Sequence, residues 1–189
     1  MPGTSEVGVL DGLVARVLAD YPYRFSLAAT ADERDVAFRL RGQAIGAEVD
    51  RDAYDEVAVH VVGWLDEAPV STGRLVCPPH ALPTEQACGI AVEPLGRVVD
   101  VGRMCVSADH QSYRHAAFVA LLCRLYLEMR ERGYGTACGM MAPRMRRLMR
   151  QLGLTLEQLA PDRWYLGEDR APVRFALLAN AEGLESRWR

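Results

Sequence analysis

An α/β fold is what this 189-residue chain predicts: a mixed sheet flanked by helices, with a central strand that bulges. Three observations carry that expectation. Apolar residues recur at helical spacing in several segments, and short valine-rich runs bounded by turn residues lie between them. One such run, Val98 to Val106, holds an acid, a glycine and an arginine where a buried strand should be apolar throughout.

Taken in order, Leu10, Leu13, Val14, Val17 and Leu18 form a helical stripe over Val7 to Asp20. Tyr23 to Ala28 alternates as a first strand. Thr30 or Asp32 can cap a helix running through Val36, Phe38 and Leu40. Glu56 to Leu65 reads as a strand, Glu67-Ala68-Pro69 as a turn and Val70 to Val76 as the hairpin partner. Cys77 to Leu95, with its prolines and polar residues, reads as a long loop or flap. After the charged strand, Phe118, Leu121, Leu122, Leu125, Tyr126 and Met129 line one helix face, which Gly133 ends. Thr136 to Met141 is a short strand. Pro143 opens a helix lined by Leu148, Met149 and Leu152, and Gly153 stops it. Leu154 to Leu159, Arg163 to Leu166 and Val173 to Leu178 close the chain as strands.

The charged strand is the candidate site. Regular pleating would put Asp100 and Arg103 on opposite faces, because their separation is odd. Gly102 between them is where a bulge is expected, and one extra residue would turn both charges into one cleft. A carboxylate and a guanidinium there suit proton transfer and anion binding; an ordinary buried ion pair is the structural alternative.

Composition narrows the function. The length fits one domain over residues 1–189 with its own core. A net charge of -3 gives no electrostatic reason to bind nucleic acid. No basic run marks a membrane surface, and no stretch nears the ~20 apolar residues of a membrane span. Met1-Pro2-Gly3-Thr4-Ser5-Glu6 does not read as a signal-peptide start, so a cytoplasmic protein is expected. Cys77, Cys88, Cys105, Cys123 and Cys138 contain no C-x-x-C, so neither a metal site nor a disulfide framework is signalled. They read as small core hydrophobes, with Cys105 alone placed to be a nucleophile. All 22 basic residues are arginine. That excludes Schiff-base and P-loop lysine chemistry and leaves anion recognition to the planar guanidinium.

From about Tyr23 onward the chain resembles the GCN5-related N-acetyltransferase (GNAT) superfamily. The resemblance rests on the hairpin Val59-His60-Val61-Val62-Gly63-Trp64 and Val70-Ser71-Thr72-Gly73-Arg74-Leu75, on the charged strand with its helix, and on Ala142-Pro143-Arg144 through Gly153. It implies a mostly antiparallel sheet whose central strand bulges and splays. The free amides there, around Met104, Cys105 and Val106, would hold the carbonyl of an acyl donor. The superfamily's donor signature, Q/R-x-x-G-x-G/A, is degraded to Gln111-Ser112-Tyr113-Arg114-His115-Ala116, with Arg114 in a glycine position. Amides that wrap a pyrophosphate need glycine's close approach.

Within the superfamily the chain is most similar to acyl-homoserine-lactone (autoinducer) synthases and N-acyl amino acid synthases. Phe38-Arg39-Leu40-Arg41 resembles their arginine motif, Asp52-Ala53-Tyr54-Asp55 their D-x-x-D, Gly73-Arg74-Leu75 their R-L, and Asp100-Val101-Gly102-Arg103 their E-x-x-R. It departs from them at Ile45, Arg51 and Asp100, where they have phenylalanine, tryptophan and glutamate. The resemblance implies an N-acyltransferase that moves an acyl group from a pantetheine thioester to the amine of an amino acid or similar small molecule. No permanently bound cofactor is implied. Acyl carrier protein is the favoured donor and acyl-coenzyme A the alternative; a catalytically inactive binding domain is the rival reading.

Chemically, Asp100 is the candidate base that frees the amine of its proton. Asp52 and Asp55 are candidates to hold the acceptor's ammonium, and Arg74 or Arg103 its carboxylate. Arg41 is expected to fix its helix more than to touch substrate. His60 and His115 read as structural, and Trp64 and Trp164 as packing on the sheet. Arg114 and Arg144, with Arg146, Arg147 and Arg150, suit the single phosphate and acidic surface of a carrier protein.

Overall fold

The computed structural model describes residues 4–177, 180 and 184, with side chains described for 8–110, 115–177, 180 and 184. Helices are α1 (Thr4–Asp20), α2 (Ala31–Ile45), α3 (Pro83–Cys88), α4 (Arg114–Glu131) and α5 (Pro143–Gln151). Strands are β1 (Tyr23–Leu27), β2 (Val59–Leu65), β3 (Ala68–Val76), β4 (Val98–Val106), β5 (Thr136–Met141), β6 (Glu157–Gln158), β7 (Arg163–Tyr165) and β8 (Glu168–Ala176). They make a mixed, mostly antiparallel sheet in two compact units that share β4. Among the described residues no helix is long and apolar enough to cross a membrane.

One unit comprises residues 16–76 and 101–131. Its strands run β1-β2-β3-β4, with β1 and β3 antiparallel to β2. Thr30 caps α2 in a reciprocal box with Glu33, and Gly46 ends the helix at φ 74°. One face of the sheet receives α2, where Ala37 and Leu40 pack with Ala28, Val62, Trp64 and Cys105. The opposite face receives α4: a Cβ on Gly73 would lie 2.9 Å from Leu125 and 3.4 Å from Met104. Gly63 sits between Phe25 and Ser71, its register partners on β1 and β3. A Cβ there would collide with the Ser71 hydroxyl oxygen and stand 2.7 Å from the Phe25 ring.

The other unit comprises, among the described residues, 4–15, 77–100, 132–177, 180 and 184. Val98, Val99 and Asp100 of β4 pair in parallel with Thr136, Ala137 and Cys138 of β5, and β8 runs antiparallel to β5. The parallel ladder stops at the Asp100–Cys138 rung, as the splayed strand requires. Both β6 and β7 pair with β8.

Six expectations need correction. The strand expected over Val173 to Leu178 runs from Glu168 to Ala176, with Leu178 outside the described residues, and β3 begins at Ala68, inside the expected turn. The stretch read as a loop contains α3, which Pro83 opens and Gly89, at φ 64°, closes; with only six residues it leaves no periodic stripe. The strand expected from Glu56 begins at Val59, because Ala53–Glu56 forms a 3₁₀ turn capped by Asp52. The strand expected over Leu154 to Leu159 shrinks to Glu157–Gln158. Trp164 does not pack on the sheet but stands 73% exposed on β7.

Candidate active site

Each acid of the D-x-x-D segment has a local reason for its place. The Asp52 side chain accepts the Tyr54 N–H at 3.0 Å, and the Asp55 carboxylate accepts the Asp52 N–H at 2.8 Å, closing a reciprocal cap. This fold-back aims both carboxylates at three arginines from three different elements. Arg41 of α2 grips Asp55 with two parallel bonds of 2.8 and 3.1 Å and reaches Asp50 at 2.9 Å. Arg74 of β3 donates to Asp52 at 2.6 Å and Asp55 at 2.7 Å. Arg103 of β4 donates to Asp52 at 2.8 Å and lies 3.2 Å from Asp50. His60 joins beneath, its Nε2 3.1 Å from the Asp55 carbonyl oxygen.

Three guanidinium and three carboxylate charges therefore balance inside one unit. Side chains of Arg41, Arg74 and Asp55 are 3–4% exposed, whereas Asp50, Arg103 and Asp52 are 12, 11 and 23% exposed. The network is buried at Arg41, Arg74 and Asp55 and open along the edge of Asp50, Asp52 and Arg103. Burial pushes the Asp55 carboxyl up, but hydrogen bonds from Arg41, Arg74 and the Asp52 amide outweigh it and hold it at about 2. Burial likewise opposes ionisation of Asp52, and Arg74 wins, lowering it. His60 is pushed down by burial, which favours the neutral ring.

A bulge or splay is expected over Gly102 to Cys105, and within that stretch Arg103 takes the left-handed backbone, at φ 53°. That conformation costs a non-glycine residue about 1–2 kcal/mol, and here it accompanies the Arg103 ion pairs with Asp50 and Asp52, the second a hydrogen bond.

Asp100 lies in the other unit, 4% exposed. Its Oδ2 accepts the Thr84 N–H at 2.7 Å and the Cys138 thiol at 3.8 Å. Of the candidate donor residues, Val106 is buried. Met104 lies beside the Gly73 position facing α4, and Cys105 faces α2, its thiol 3.5 Å from the Leu40 carbonyl oxygen. Arg144 on α5 is 80% exposed, 3.8 Å from Glu168. The Arg114 side chain lies outside the described residues. No group of three His, Cys, Asp or Glu among the described residues could hold a metal ion.

The structure thus brings Arg41, Asp52, Asp55, Arg74 and Arg103 together and adds Asp50, which sequence reading missed although it stands two residues before Asp52. Thr84 and Cys138 were missed as well: a backbone amide and a strand cysteine leave no motif.

Residues 34–123 match a family model described as an acetyltransferase (GNAT) domain. No curated protein matches the chain in sequence. Among solved structures, the acyl-homoserine-lactone synthase LasI superposes with a TM-score of 0.71 at 12% identity, covering 86% of this chain and 93% of that one. FeeM, an N-acyl amino acid synthase from uncultured soil microbes, gives 0.67 at 15% identity over 86% and 94%. MesI, a CoA-dependent acyl-homoserine lactone synthase, gives 0.65 at 21% over 87% and 95%. Identities this low establish a shared fold. Residues 34–123 are therefore similar to an acetyltransferase (GNAT) domain, and the chain has the fold that these synthases share.

Proposed function

We propose that residues 1–189 form one N-acyltransferase that transfers an acyl group from a thioester donor to the amine of an amino acid or a related zwitterion. The open edge of the ion network carries this reading. Asp52 and Arg103 present one negative and one positive group side by side, complementary to an ammonium and a carboxylate carried by one small molecule. Arg41, Arg74 and Asp55 frame that edge from beneath. In this reading Asp100 takes the proton from the attacking nitrogen, which then attacks the thioester carbonyl and expels the pantetheine thiol. Backbone amides of Met104 to Val106 hold that carbonyl.

The donor in this reading is acyl carrier protein. The segment Gln111 to Ala116 lacks glycines for a pyrophosphate, and α5 exposes Arg144, Arg147 and Arg150 to an acidic partner. Octanoyl-acyl carrier protein, octanoyl-coenzyme A and octanoyl-pantetheine, each mixed with a panel of L-amino acids and S-adenosylmethionine, test it by thiol release. Turnover should be fastest from the carrier protein, and added salt should slow it far more than turnover from octanoyl-pantetheine. Equal salt sensitivity, or tight binding of free coenzyme A, restores the coenzyme A reading. Absence of turnover from every donor makes the chain a binding domain.

A further inference from the structure

Beneath the candidate base lies a closed cluster. The last rung of the parallel ladder sets Cys138 directly across from Asp100, and both residues are buried, at 0 and 4% exposure. Asp100 Oδ2 collects two donors there: the Thr84 amide at the start of α3, at 2.7 Å, and the Cys138 thiol, at 3.8 Å. Burial, with the Asp100 carboxylate second, pushes the Cys138 thiol far above the ordinary thiol range, so it stays protonated as a donor. The other titratable groups close by are Glu85 and Cys88 of α3, with Arg163 beyond Cys88. Glu85 is engaged by the Val92 amide and Cys88 by the Met140 sulfur.

We propose that Cys138 is a positioning residue, whose S–H holds the Asp100 carboxylate in the rotamer and charge state that accept the substrate's proton. The proposal rests on Asp100 being the base. A thiol is a weak donor, so its effect on the carboxyl is modest, and a hydroxyl in its place holds the charged form better.

The test follows the Asp100 carboxyl carbon by nuclear magnetic resonance titration of the full-length, 13C-labelled protein, the peak assigned with Asp100→Asn. Cys138→Ala removes the donor and should raise the titration midpoint by about 0.5–1 pH unit. Cys138→Ser should bring it below the parent value, and it decides alone if the alanine variant does not fold. The acid limb of kcat/KM with octanoyl-acyl carrier protein should move in the same order. Midpoints that stay fixed in these variants, while Asp100→Asn has lost turnover, overturn the role of Cys138 and leave the base in place. A folded Asp100→Asn that still turns over removes the base and the proposal together.

Discussion

Asp55→Ala tests whether the ion network holds the fold or merely decorates it. Asp55 accepts three charge-assisted bonds, two from Arg41 and one from Arg74, plus the amide of Asp52. After truncation Arg41 keeps Asp50 and Arg74 keeps Asp52, but both guanidinium groups remain 3% exposed and short of a counter-charge. Removing one partner of a buried pair costs about 3–5 kcal/mol, because the other charge stays desolvated. At roughly 2–4 °C per kcal/mol for a chain of this size, Tm should fall by about 6–20 °C. The acid limb gives a second readout. Asp55 titrates lower in the folded state than its ordinary 3.8, so its stabilisation is complete above that value and drains away as pH falls toward about 2. Urea unfolding across pH 7 to 2 measures both effects: the variant should be less stable at pH 7 and show a shallower loss below pH 4. A penalty under about 1 kcal/mol, with an unchanged acid slope, would refute the reasoning. Glu157→Ala, which removes a half-exposed partner of Arg174, serves as the contrast.

Two further substitutions probe the backbone and the sheet. Leu166 and Gly167 make the β7–β8 turn at φ 51° and 82°, where asparagine is at ease and leucine is not. Leu166→Asn should therefore raise stability by about 1 kcal/mol in denaturant titration, and a loss would show that the half-exposed leucine is held by packing. Gly63→Ala should cost about 1–3 kcal/mol, since its methyl meets Ser71 and Phe25 inside contact distance; unchanged stability would mean the three strands move apart freely there. Arg103→Lys keeps the charge but loses the fork that spans Asp50 and Asp52, so it should raise the KM for the amine more than it lowers kcat.

Much of the fold is written locally. The Thr30–Glu33 box, the glycines after α2 and α5, Pro143 at the first turn of α5 and the valine runs of β2 and β4 each act within a few residues, so the chain alone specifies them. The short motifs also placed Arg41, Asp52, Asp55, Arg74 and Arg103 on a common chemistry. Only the tertiary structure decided how their charges are spent. Arg41, Arg74 and Asp55 are buried against one another, while Asp52, which Arg74 and Arg103 share, and Arg103 itself lie at the open edge. Partners that lie 14 to 51 residues apart leave no periodic trace. The same holds for the stretch Gly102 to Cys105, where the sequence points to a break in regular pleating but only the fold puts Arg103 in the left-handed backbone and pairs it with two distant carboxylates. For Asp100 the sequence named an acid in a strand. The ladder rung to Cys138 and the amide of Thr84 supply its surroundings, because hydrogen bonds to a buried carboxylate come from whatever backbone the fold brings alongside.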